Sequence, residues 1–153
     1  MRKIIFSRPD GGLSVVHPVI NTHGEADDFT EDQAEQRAWD KLPANAINPR
    51  WIDAADIPAD RTFRDAWEDN DGVKVNMPKA REIHKVKLRL LRGPKMAALD
   101  IAYMRADEIG DSAEKARIKA QKQALRDVTA DPRISAATTP DDLKAVIPQI
   151  LME

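Results

Sequence analysis

The chain has 153 residues, enough for about one domain that buries its own core. Hydrophobic residues make up 42% and charged residues 33%, with a net charge of −2. That balance argues against a globally basic nucleic-acid binder, and no run of about 18 uninterrupted apolar residues predicts a transmembrane helix. Cysteine is absent, which excludes disulfides, thiolate metal sites and cysteine nucleophiles. Met1 to Phe6 starts basic but has no extended apolar stretch before Arg8-Pro9-Asp10, so it is not expected to be a secretion signal.

The first twenty residues read as a hairpin. Lys3-Ile4-Ile5-Phe6 and Leu13-Ser14-Val15-Val16-His17 are strand-like runs on either side of Pro9-Asp10-Gly11-Gly12. Positive φ is expected at both glycines. A lone hairpin is marginal in water, and Arg50-Trp51-Ile52-Asp53 is the expected third strand. Between them, Thr30-Glu31-Asp32-Gln33 has the pattern of a capping box. It opens a helix with Ala34, Ala38, Trp39 and Leu42 on one face and Pro43 at its end. Residues 25–40 hold seven acids against Arg37, read as a solvated face.

Residues 58–76 read as a connector. Phe63 and Trp67 are spaced i, i+4, so a helical turn would place both rings on one side. They are expected to pin the connector to the sheet, with an aromatic anchor for a partner as the alternative. Asp69-Asn70-Asp71-Gly72 is a turn, and Val73-Lys74-Val75 a short strand or edge.

From Asn76 onward the pattern is helical. Over 77–109, one apolar line runs through Ala80, Ile83, Val86 or Lys87, Leu90, Ala97, Ile101 and Met104, and a second through Leu88, Leu91, Leu99 and Tyr103. Gly93-Pro94 predicts a kink, and Gly110 a stop. Ser112 is expected to cap a helix over 113–128, with Ala113, Ala116, Ala120, Ala124, Leu125 and Val128 as its packing stripe. Thr139-Pro140-Asp141-Asp142 opens a short last helix ended by Pro148. The expectation is an α+β protein: a small N-terminal antiparallel sheet with one helix, then a helical hairpin and a short C-terminal helix. Its parts are a sheet module over 1–57, the connector, and a helical module over 77–153.

Chemistry is sparse. No phosphate loop, dinucleotide fingerprint, nucleophile elbow or zinc-protease motif is present, so no catalytic residue is assigned and a non-enzymatic role is expected. His17, His23 and Asp27 do not form a recognised ligand spacing, so no metal or cofactor is implied. The strongest electrostatic feature is residues 74–95: eight cations against Glu82. The positive positions surround much of the helix and lack stacking aromatics. The expectation is that Lys85, Arg89 and Arg92, with Leu88, Leu91 and Tyr103, bind a protein partner. A nucleic-acid-binding regulator is the alternative. The second apolar line is expected to meet a partner or another copy of the chain.

Arg81-Glu82-Ile83-His84-Lys85, Leu99-Asp100, Gln121-Lys122-Gln123-Ala124-Leu125-Arg126-Asp127-Val128, Pro132 and Pro148 together resemble the small tail assembly chaperone and tail-fibre accessory proteins of tailed bacteriophages. The resemblance covers about residues 60–150. It departs at Asp100-Ile101 and Ile147-Pro148, where the family carries Asp-Trp and Trp-Pro. It implies a partner that is a tail fibre or tail structural protein, a place in the host cytoplasm during assembly or in the virion tail, and no membrane. Leu125 reads as core, and Arg126 and Asp127 as a lock between the last helices.

Overall fold

The computed structural model describes residues 1–20 and 29–152. The chain forms two compact units, Met1–Asn76 and Met77–Glu153. The fold is α+β: the first unit holds the strands and one helix, and the second is helical. Within the described residues no helix is long and apolar enough to cross a membrane.

In the first unit β1 (Lys3–Ser7) is the central strand of an antiparallel sheet, between β2 (Leu13–Val16) and β3 (Ile47–Ile52). The β1–β2 turn closes through Gly11 N–H to the Arg8 carbonyl at 2.9 Å. Gly11 takes φ +76°, where a side chain is strained. Gly12 does not share that conformation, contrary to expectation. Its N–H instead donates to Asp10 Oδ1 at 2.8 Å, and a Cβ there would meet the Arg8 guanidinium.

Alternation along β1 sends Ile4 and Phe6 to one face and Ile5 to the other. Helix α1 (Glu31–Asp40) covers the first face. Thr30 and Gln33 make the reciprocal capping box. Glu35 is buried, which corrects the reading of this helix's acids as wholly solvated. It accepts from the Arg2 backbone N–H at 2.8 Å and from both Nε (3.1 Å) and Nη2 (2.5 Å) of the Arg2 guanidinium. The guanidinium also lies 4.7 Å over the Trp51 ring, and Trp51 stacks on Trp39 with centroids 5.4 Å apart. His23, Asp27 and the acids Glu25 and Asp28 lie outside the described residues.

The connector is part of this unit. Ile5, Leu13 and Ile52 leave the second sheet face apolar, and Trp67 and Val73 pack onto it. Trp67 begins β4 (Trp67–Asp69), which pairs with β5 (Val73–Val75) around the Asn70-Asp71-Gly72 turn. Phe63 and Trp67 therefore do not share a helical face. A short 3₁₀ turn, Arg64–Ala66, separates them, and both are buried in the core. Arg50 on β3 clamps Asp69 on β4 through Nη2 (2.5 Å) and Nε (3.1 Å).

The second unit is built on α2 (Met77–Glu108) and α3 (Ser112–Asp127). Helix α2 runs unbroken through Pro94, whose exposed position lets water reach the carbonyl left without a donor one turn back. It ends in a Schellman motif: Gly110 N–H donates to the Asp107 carbonyl and Asp111 N–H to that of Ala106. The cap of α3 is Asp111, not Ser112; its carboxylate accepts from Glu114 N–H at 2.9 Å. The helices are antiparallel, with Lys115 bonded to Asp107 and Lys122 to Asp100.

Helix α3 buries Ile118 and Leu125, while the alanines at 113, 116, 120 and 124 face solvent. Of the expected stripe, Leu125 and Val128 are buried and the alanines are not, because the larger side chains remove more apolar area from water. Beyond α3, α4 (Pro132–Ala136) and α5 (Pro140–Ala145) pack Ile134 and Leu143 into the helical core. Thr139 and Asp142 form a second capping box.

Candidate functional site

Helix α2 carries two apolar lines and a row of cations, and the fold gives each a different environment. The buried line is Ala80, His84, Leu88 and Ala106. His84 donates from Nε2 to the Val146 carbonyl at 2.8 Å, which ties α2 to the segment after α5. A carbonyl can only accept, so this bond fixes the hydrogen on Nε2. The opposite line contains Val86, Leu90, Ile101 and Met104, all exposed.

Arg81, Lys85, Arg89 and Arg92, spaced four, four and three residues apart, lie on a third face. Arg92 donates through Nη1 to the carbonyls of Leu125 (3.3 Å) and Arg126 (3.1 Å). These belong to the last turn of α3, whose carbonyls lack intrahelical donors and carry the negative end of the helix dipole. Arg81 donates through Nη2 to the Ala137 carbonyl at 3.0 Å. Lys85 bonds Glu82 at 2.7 Å, and Arg89 is exposed.

Next to this row lies an open groove of about 410 Å³. Pro78, Arg81 and Lys85 form one wall, and Asp131, Ile134 and Ser135 the other. Each acid at its rim already has a cation from its own neighbourhood. The hydrogen bond from Arg133 holds Asp131 below the ordinary carboxylate range, and that from Lys85 does the same for Glu82. The groove thus presents cationic side chains, a feature that suits an acidic segment; Ile134 is buried and offers that segment no apolar surface.

No family model, curated protein or solved structure matches this chain.

The residues expected to bind a partner do not fall on one surface. Lys85 and Arg89 belong to the cationic row. Leu88 is 0% exposed and is core, not a contact for a partner. Arg92 holds the end of α3. Leu91 is exposed, and Tyr103 is half-buried beneath Lys119 and Lys122, 5.7 and 5.9 Å from its ring centroid. Arg126 and Asp127 form no lock through their side chains: Arg126 is exposed, and Asp127 accepts from Gln123 within α3 at 2.9 Å. Arg92 instead ties the end of α3 back to α2. The groove wall from α4 was missed in sequence, where only Pro132 marked that turn.

Elsewhere, His17 lines a second cavity of about 290 Å³ with Lys3, Arg61 and Trp67. Partial burial, then the nearby cations Lys3 and Arg61, push its pKa below the ordinary 6.5. The same field opposes a bound metal cation. Among the described residues no group of three or more potential ligands could hold a metal.

Proposed function

We propose that this chain is a non-enzymatic assembly protein of a bacteriophage tail, which holds an acidic segment of a tail fibre or tail structural protein in the groove beside α2. The observation that carries this reading is the cationic row, in which Lys85 lines an open groove and Arg89 is exposed on the same face of α2. The resemblance of residues 60–150 to tail chaperones and fibre accessory proteins supplies the tail context. Such a protein works in the host cytoplasm during assembly and enters the virion tail if it stays bound. Nucleic acid is the less favoured ligand. The basic stretch 74–95 carries no stacking aromatic, and the net charge of the chain is −2.

The test is charge reversal at Lys85 and Arg89, with Arg92 left intact because it holds α3. The wild-type chain should retain purified tail fibre or tail structural protein, and Lys85→Glu/Arg89→Glu should lose that binding while keeping its circular dichroism. Retained binding in the variant would refute the groove. Tight duplex DNA binding with a steep salt dependence, in place of tail-protein binding, would favour the regulator.

A further inference from the structure

The exposed apolar line of α2 is symmetric in sequence. Val86 and Ile101 lie equally far from the Gly93–Pro94 bond, as do Leu90 and Ala97, and Ile83 and Met104. Ile83 is half-buried and the other five are exposed. The line faces away from the side that packs on α3, so the intrachain core does not explain it. At its centre stands Gly93, where a Cβ would meet nothing within 4 Å.

We propose that a second copy of the chain covers this face, with two α2 helices packed antiparallel about a two-fold axis beside the Gly93–Pro94 bond. In that arrangement Val86 meets the second copy's Ile101, Leu90 its Ala97, and Ile83 its Met104, each pair occurring twice as an isologous interface requires. Gly93 lets the backbones approach at the crossing point. Charge sets the direction. Residues 77–93 carry six cations against Glu82, while residues 94–108 carry Lys95 and Arg105 against Asp100, Asp107 and Glu108. Antiparallel packing places the strongly positive half of one helix beside the slightly negative half of the other, and Lys79 opposite Glu108. Parallel packing would set the two positive halves side by side. This face is separate from the groove, so the inference stands or falls independently of the proposed tail function.

The chain has no cysteine, so single cysteines can report the packing. Light scattering of the full chain should give twice the 17.1 kDa chain mass. Leu90→Glu/Ile101→Glu should give a single-chain mass, with a cooperative melt that no longer shifts with protein concentration. Under oxidation Gly93→Cys should cross-link to itself, because the two copies of that position lie beside the two-fold. Val86→Cys should not, since its two copies lie about 22 Å apart along the helices at 1.5 Å per residue. A single-chain mass for the wild type at every concentration, a dimer that survives Leu90→Glu/Ile101→Glu, or no cross-link at Gly93→Cys would overturn the proposal. Cross-linking of Val86→Cys would overturn the antiparallel arrangement.

Discussion

The two units treat their apolar surface differently. In the sheet unit both faces of a three-stranded sheet are covered within the chain: α1 takes one, and the β4–β5 hairpin brings Trp67 and Val73 onto the other. In the helical unit α2 buries one apolar line and leaves another in solvent. Ion pairs between elements occur in both units, with Lys115–Asp107 and Lys122–Asp100 joining α3 to α2 in the helical one. Two-sided ion pairs, Arg2–Glu35 and Arg50–Asp69, fasten elements of the sheet unit to one another. The cations of α2 reach helix ends and a groove. The sheet unit thus covers its own apolar faces, whereas the helical unit leaves an apolar line of α2 exposed.

The comparison breaks first at Trp67. If its ring is the cover of the second sheet face, Trp67→Ala should cost about 3–5 kcal/mol, as for other buried aromatics. Denaturant melts followed by the fluorescence of the remaining tryptophans measure this selectively, because Trp39 and Trp51 also belong to the sheet unit. A loss under about 0.5 kcal/mol would mean that the face is covered by something else.

A smaller effect is expected at Arg92 in the helical unit. Arg92→Ala removes two hydrogen bonds from a charged donor to carbonyls in the last turn of α3. It should cost about 1 kcal/mol, since the donor is only partly buried. Far-UV circular dichroism in urea reports it. No change would return Arg92 to the set of residues available to a partner.

The smallest expected effect is in acid. Arg2 holds Glu35 below its ordinary 4.5, and Arg50 holds Asp69 below its ordinary 3.8. A depressed folded-state pKa adds stability that is fully present above the ordinary value and is lost as pH falls through the folded one. Tryptophan-detected stability should therefore decline below about pH 4.5, and the decline should be shallower in Glu35→Gln. An unaltered pH profile in that variant would show that the Arg2 pair contributes nothing.

Local chemistry was legible in the sequence. Thr30 with Gln33, Thr139 with Pro140 and Asp142, and Gly110 after the last periodic residue each mark a helix end that the structure contains, because a cap is decided by residues three or four apart. The site was less legible. Periodicity showed two apolar lines on α2, but the buried line is neither of them: it takes Ala80 from the first and Leu88 from the second, and adds His84 and Ala106. The buried line includes His84, a polar residue whose partner carbonyl is 62 residues away. Arg92 looked like a surface cation for the same reason: its acceptors lie 33 and 34 residues on. Leu88 was placed on a binding face because the helical hairpin carries more apolar surface than the small sheet could cover, and periodicity could not show that α3 and α5 cover part of it. Trp67 was read in a helical spacing, and only the unmet apolar face of the sheet explains why it starts a strand.

The central claim is that the two apolar lines of α2 have different roles, and the most direct measurement is a pair of truncations two residues apart. Leu88 is fully buried and Leu90 is 73% exposed. In denaturant melts of dilute protein followed by far-UV circular dichroism, Leu88→Ala should cost about 2–5 kcal/mol. Leu90→Ala should change stability by no more than about 0.5 kcal/mol. Equal losses at the two positions, or a larger loss at Leu90, would contradict the division of α2 into a structural line and a binding line.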